Sequence, residues 1–120
     1  MKNTLLSLVA FTLLIGCSSP QNKTKTFKTS LPCADCDEIV SVLVLDDNGS
    51  FVLSETYVKD TNETFTKNGV YSVEGDIIVI PSDDETLRFK KDGENLNRLD
   101  FEGNLVEGEF RDNYNYKLSK

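Results

Sequence analysis

Histidine is absent from the 120-residue chain, and its one methionine is Met1. The first absence removes the imidazole that a Ser-His-Asp triad uses as its general base. Together the two absences remove the usual helper ligands of a soft metal site and leave only cysteine sulfur and carboxylate oxygen. The chain has no Gly-rich phosphate loop either. Positive charge is scarce, with 13 Lys and Arg against 20 Asp and Glu, a net charge of −7. A field of that sign repels nucleic acid and anionic lipid head groups, so neither is expected as a ligand. After residue 16 no stretch keeps a 3.6-residue apolar period, which argues against helices. What is present, 28% charged and 9% aromatic residues, suits a folded domain rather than a disordered one.

The first 16 residues read as an address label. Lys2 supplies a positive n-region, and Leu5 to Ile15 is an apolar run too short for the roughly 20 residues of a membrane-spanning helix. It runs into Leu14-Ile15-Gly16-Cys17, which resembles the lipobox of bacterial lipoproteins, cut before the cysteine that then carries acyl chains. Cys17 is therefore the expected lipidation site. Each buried methylene contributes about 0.8 kcal/mol, so several chains anchor stably while the domain stays in water. Ser18, not Asp, follows the cysteine, which agrees with sorting to the outer membrane. Loss of residues 1–16 leaves 104 residues (120 minus 16) and removes Lys2, so 12 basic residues face 20 acidic ones, a net charge of −8. Residues 17–28 are polar and read as a flexible tether, and residues 29–120 read as one domain.

Within that domain, short alternating or apolar runs are punctuated by turn residues. Ile39 to Leu45 reads as a strand ended by Asn48-Gly49, a pair suited to a type I′ hairpin. Phe51, Leu53 and Tyr57 alternate with polar neighbours. Gly75 turns the run with Tyr71 and Val73 into Ile77 to Ile80. Leu87 and Phe89 alternate with Arg88 and Lys90, and a turn at Gly93 leads into Leu96 to Phe101. Six or more hairpin-linked strands imply an all-β fold, a small antiparallel up-and-down β-barrel or a sandwich that hides its edges. Phe51, Leu53, Tyr57, Tyr71, Phe89 and Phe101 are the expected filling of the interior. Asp83, Asp84 and Glu85 form an acidic turn that reads as a solvated face.

With Cys17 given to lipid, Cys33 and Cys36 remain as an even pair in an oxidising compartment. A thiol oxidoreductase would need a lowered thiol pKa, yet Asp35, Asp37 and Glu38 crowd the pair with negative charge that disfavours a thiolate. Two thiols could hold a soft metal only when reduced, and a closed zinc site takes four ligands. The favoured reading is a disulfide at the start of the first strand, where closing so small a loop contributes about 2 kcal/mol through the unfolded chain. No catalytic residues and no cofactor are expected.

Four blocks in order, Ser30-Leu-Pro-Cys-Ala-Asp-Cys36, Asp47 to Tyr57, Asn68 to Ile80 and Leu99 to Phe110, resemble the NlpE N-terminal domain family in sequence and spacing. That family is one of outer-membrane lipoproteins linked with copper resistance, surface sensing and the Cpx envelope-stress response. The resemblance implies a lipocalin-like barrel, anchored in the outer membrane and facing the periplasm, that meets an inner-membrane sensor kinase as its protein partner. An alternative function is the holding of a small apolar ligand or a copper ion. Tyr71 stands where the family often has Trp. Redox sensing that rests on the second, OB-like domain of longer members is not carried over to these residues.

Overall fold

The computed structural model describes residues 23–119, so Cys17 and the lipobox lie outside the described residues. Nine strands follow one another along the described chain: β1 (Thr24–Leu31), β2 (Glu38–Asp46), β3 (Ser50–Val58), β4 (Glu63–Val70), β5 (Ser72–Glu74), β6 (Ile77–Ile80), β7 (Leu87–Asp92), β8 (Asn95–Arg98) and β9 (Asn115–Ser119). Their order across the sheet is β4-β3-β2-β1-β9-β8-β7-β6-β5. Every ladder is antiparallel and joins sequence neighbours, except that β9 returns to β1 with Phe27 opposite Leu118. The two ends of the order, β4 and β5, are separated only by Tyr71. They behave as one bent strand, paired first with β3 and then, over Ser72–Glu74, with β6. The sheet comes round on itself as the expected all-β, up-and-down barrel, nearly closed.

Alternation explains which side chains fill it. In β2, Ser41, Leu43 and Leu45 point inward and are buried, whereas Val40, Val42 and Val44 sit on the partly exposed outer face. Phe27, Phe51, Leu53, Ile78, Ile80, Leu87, Phe89, Leu96 and Tyr116 complete one core cluster with Leu43 and Leu45. Burying each such side chain contributes about 1.5–3 kcal/mol. Phe89 and Tyr116 meet edge to face, their ring centroids 5.1 Å apart. Gly69 lies opposite Phe51, and a Cβ there would stand 3.1 Å from the Phe51 ring, so the glycine makes room for the aromatic.

One side of the ring stays open. The β5–β6 ladder ends at Ser72 opposite Val79, and Pro81 just beyond has no N–H to carry it on. All eight residues of β4 are exposed. Lys67 reaches across the opening, with its Nζ 3.1 Å from Ser82 Oγ and 3.5 Å from Asp84 Oδ2.

Three expectations are corrected. β1 begins at Thr24, inside the stretch read as tether, because Lys and Thr on the wet face mask the inward Phe27 and Leu31. Phe101 is no core residue: it is 85% exposed, since β8 ends at Arg98 and the next residues form a turn in which Asp100 Oδ1 accepts the N–H of Glu102 and of Asn104. The hairpin at Asn48-Gly49 has a three-residue loop with Gly49 at φ 94°, and Gly49 N–H donates to Asp46 O; it is a bulged turn and not a two-residue type I′ turn.

Phe89→Ala is expected to cost about 3–5 kcal/mol in chemical denaturation, because it opens a cavity in the filled centre. Phe101→Ala should stay within about 0.5 kcal/mol of the parent.

Candidate functional site

The cysteine pair lies in the β1–β2 connection, where Pro32 holds Leu31 extended before the chain turns. The sulfurs of Cys33 and Cys36 lie at bonding distance, with the two Cα atoms 5.4 Å apart. The loop is seated on both sides. Asp37 N–H donates to Val58 O at 2.9 Å, and Ser30 O–H donates to Glu38 Oε1 at 2.6 Å. Both cysteines are half-buried, while Asp35 and Asp37 face water. Asp35 Oδ1 lies 3.6 Å from Cys33 Sγ, and the ligand atoms of Cys33, Asp35 and Cys36 all fall within 4.8 Å of one another. Joined, the sulfurs offer neither a nucleophile nor a metal ligand. Reduced, they offer two soft donors and one hard oxygen, one short of a closed tetrahedral site.

A second polar constellation, missed in the sequence, sits inside the barrel. Ser41 on β2, Glu55 on β3, Arg98 on β8 and Tyr116 on β9 converge, and Ser41 and Tyr116 are fully buried. Arg98 can only donate and the Glu55 carboxylate can only accept, which fixes the direction of every bond. Arg98 Nη1 donates to Tyr116 Oη at 3.1 Å and to Glu55 Oε2 at 3.4 Å. The Tyr116 O–H therefore donates to Ser41 Oγ at 2.8 Å, and the Ser41 O–H to Glu55 Oε2 at 3.4 Å. Burial of the ring pushes the Tyr116 phenol above its ordinary value near 10, with Arg98 and Ser41 opposing the rise. Burial pulls Arg98 down, but Tyr116 and Glu55 outweigh it and hold the guanidinium charged. The signal for this network was present in two places: a serine amid the inward residues of β2, and a glutamate between Leu53 and Tyr57.

Room for a ligand at the barrel's centre is slight, since Leu43, Ile80, Phe89 and Tyr116 are all at zero exposure. One recess, near the start of β1, has a volume of about 400 Å³ and is lined by Phe27, Leu45, Ile78 and Leu96 together with Lys23, Lys25 and Lys91.

A phenol whose pKa is raised by folding contributes stability that is fully present below its unfolded value near 10 and is lost as pH climbs toward the folded value. Denaturation midpoints should therefore fall on the alkaline side of pH 10. Tyr116→Phe should lose about 1–3 kcal/mol at pH 8 by stranding Ser41 and Arg98, and should show a smaller further decline at high pH.

The sequence profile of the NlpE N-terminal domain matches residues 27–109. Lipoprotein NlpE of Escherichia coli (strain K12) is 28% identical over 132 residues, an alignment that covers 96% of this chain and 54% of that protein. This chain thus spans about half the length of that curated relative. Two crystal structures share the fold. A chain described as a lipoprotein from Shewanella oneidensis superposes with a TM-score of 0.68 at 28% identity, covering 77% of this chain and 84% of that one. The Cpx pathway activator NlpE from Escherichia coli superposes with a TM-score of 0.62 at 31% identity, covering 72% of this chain and 47% of that one. The matched segment takes in the cysteine loop and strands β2 to β8 whole, and the chain belongs to the NlpE N-terminal domain family.

Proposed function

We propose that this chain is a lipid-anchored envelope protein that acts by contact with another protein, a sensor kinase of the Cpx type in the inner membrane, and carries out no chemistry of its own. The observation that supports this most is the filled barrel. A centre occupied by the domain's own side chains leaves the outer surface and the loops as the working parts. The similarity to a Cpx pathway activator supplies the class of partner. Cys17 carries the acyl chains, residues 18–23 join it to the strand that begins at Thr24, and Ser18 sends the protein to the outer membrane with its domain in the periplasm. An outer-membrane anchor keeps the barrel away from an inner-membrane partner. Failed lipidation or sorting then raises the chance of encounter without any change of fold.

On this reading Cys33 and Cys36 form a staple that fixes the β1–β2 loop. A second reading rests on the convergence of Cys33, Asp35 and Cys36: reduced, the trio captures a soft ion such as Cu(I), and metal exposure becomes the signal. The packed centre weighs against a small apolar ligand held there, and the recess at the start of β1 is one place outside it where such a ligand would fit.

Labelled palmitate should enter the wild-type protein and not Cys17→Ser. Photo-crosslinking in cells should capture the kinase with the Cys17→Ser protein more than with wild type. The Cys33→Ser/Cys36→Ser pair should lower stability by about 2 kcal/mol and leave capture intact. Loss of capture at unchanged stability would favour the metal or redox reading instead.

A further inference from the structure

Along β4 the chain reads Glu63-Thr64-Phe65-Thr66-Lys67. Outward from Phe65, threonine answers threonine and glutamate answers lysine. A strand with that symmetry is complementary to an antiparallel copy of itself.

The strand also has an unused side. Among the described residues β3 is its one ladder partner. Tyr71 N–H donates to Gly49 O directly across the β3–β4 hairpin at 2.9 Å. By the alternation of an antiparallel ladder, Phe65 and Lys67 then turn their backbone groups toward β3, and Thr64, Thr66 and Asn68 turn theirs away from it. Among the described residues those three make no backbone bond to another element. Phe65 is 56% exposed and touches Tyr57 by an edge-on ring contact at 5.6 Å.

We propose that β4 is a dimerisation edge that takes the β4 of a second copy of this chain, antiparallel, with Phe65 on the two-fold axis. Thr64 of each copy lies opposite Thr66 of the other, and each such pair exchanges both N–H···O bonds. Phe65 then falls at a non-hydrogen-bonded position, where facing side chains stand closest, and meets its own counterpart. Glu63 of each copy faces Lys67 of the other. Lys67 gives up Ser82 and Asp84, and Glu63 gives up Lys59 at 3.4 Å, for the opposite charges across the axis. The net charge of −7 opposes the approach of two copies, so the attraction has to be local, and two Glu63–Lys67 pairs supply it. Because both copies use the same edge, the assembly closes at two and does not grow into a fibre.

The test is cysteine crosslinking of the full chain in cells. Phe65→Cys should yield a disulfide-linked homodimer well above Val52→Cys, an exposed position on the outer face of β3 that reports random collision. On the Phe65→Cys background, Lys67→Glu sets two glutamates against each other twice and should cut the yield about tenfold, and Glu63→Lys should do the same with lysines. Combining both substitutions restores opposite charges and should bring the yield back, which excludes misfolding as the cause of the losses. Co-expressing the two single variants should also restore it. Thr66→Pro removes an N–H on the free side only and should abolish the dimer while the β3 ladder stays. Equal yields at positions 65 and 52, a double reversal that fails to restore the dimer, or adducts to a different protein would overturn the proposal.

Discussion

The barrel depends on one strand shared between two neighbours. β4 and β5 are a single extended run bent at Tyr71, and it is this run that pairs with β3 at one end and β6 at the other. Without it, a meander of short strands would have two open edges and a core exposed between them. Tyr71 holds the bend from both directions. Its N–H bonds Gly49 O, and its phenol donates to Asp46 O at 2.9 Å, so the β2–β3 turn and the shared strand are tied together. The same device sets the fold's weak side. Where Pro81 stops the β6 ladder, β4 continues without a ladder partner on that side among the described residues, and Lys67 spans the gap to Ser82 and Asp84.

Inside the ring the apolar cluster is interrupted at one level by four polar groups that satisfy one another. Arg98 and Glu55 lie far enough from bulk water for their charge to cost desolvation, which is offset by hydrogen bonds to Tyr116 and Ser41. Such a network favours one register, since a slip of a single residue would turn Ser41 and Glu55 outward and bury their neighbours. The long β8–β9 connection is fastened to β1, the neighbour of β9, by Asn113, which donates to Ser30 O and accepts from Thr29 O–H, both at 2.8 Å. The cysteine loop follows Ser30 by only a few residues, so staple, connection and first strand form one supported corner.

Much of this was legible in the residues. Gly49, Gly75, Gly93 and Gly103 all adopt positive φ at turns where the alternating runs end, because only glycine takes that conformation freely. The inward Phe51 and Leu53 of β3 and Leu87 and Phe89 of β7 followed from period-two alternation. β1 did not, because its wet face carries Lys and Thr in a pattern that imitates a tether until a partner strand shows which side is dry. Phe101 misled for the opposite reason: its hydrophobicity says core, and the turn that swings it outward is held by four bonds to Asp100, two to its side chain and two to its backbone. The inner network showed only as a serine and a glutamate at inward positions, and its assembly was hidden for want of pairing. Ser41, Glu55, Arg98 and Tyr116 come from four strands, and nothing in their spacing along the chain brings them together.

On the proposed function, the filled barrel conveys its message by where the anchor holds it and not by a change of shape. Ser18→Asp, which keeps Cys17 and alters the sorting position alone, tests that most directly. With an envelope-stress reporter read alongside fractionation of the protein and its denaturation midpoint, the account predicts protein retained in the inner membrane, an unchanged midpoint and a raised reporter. A reporter that stays flat once the protein is retained in the inner membrane would contradict it.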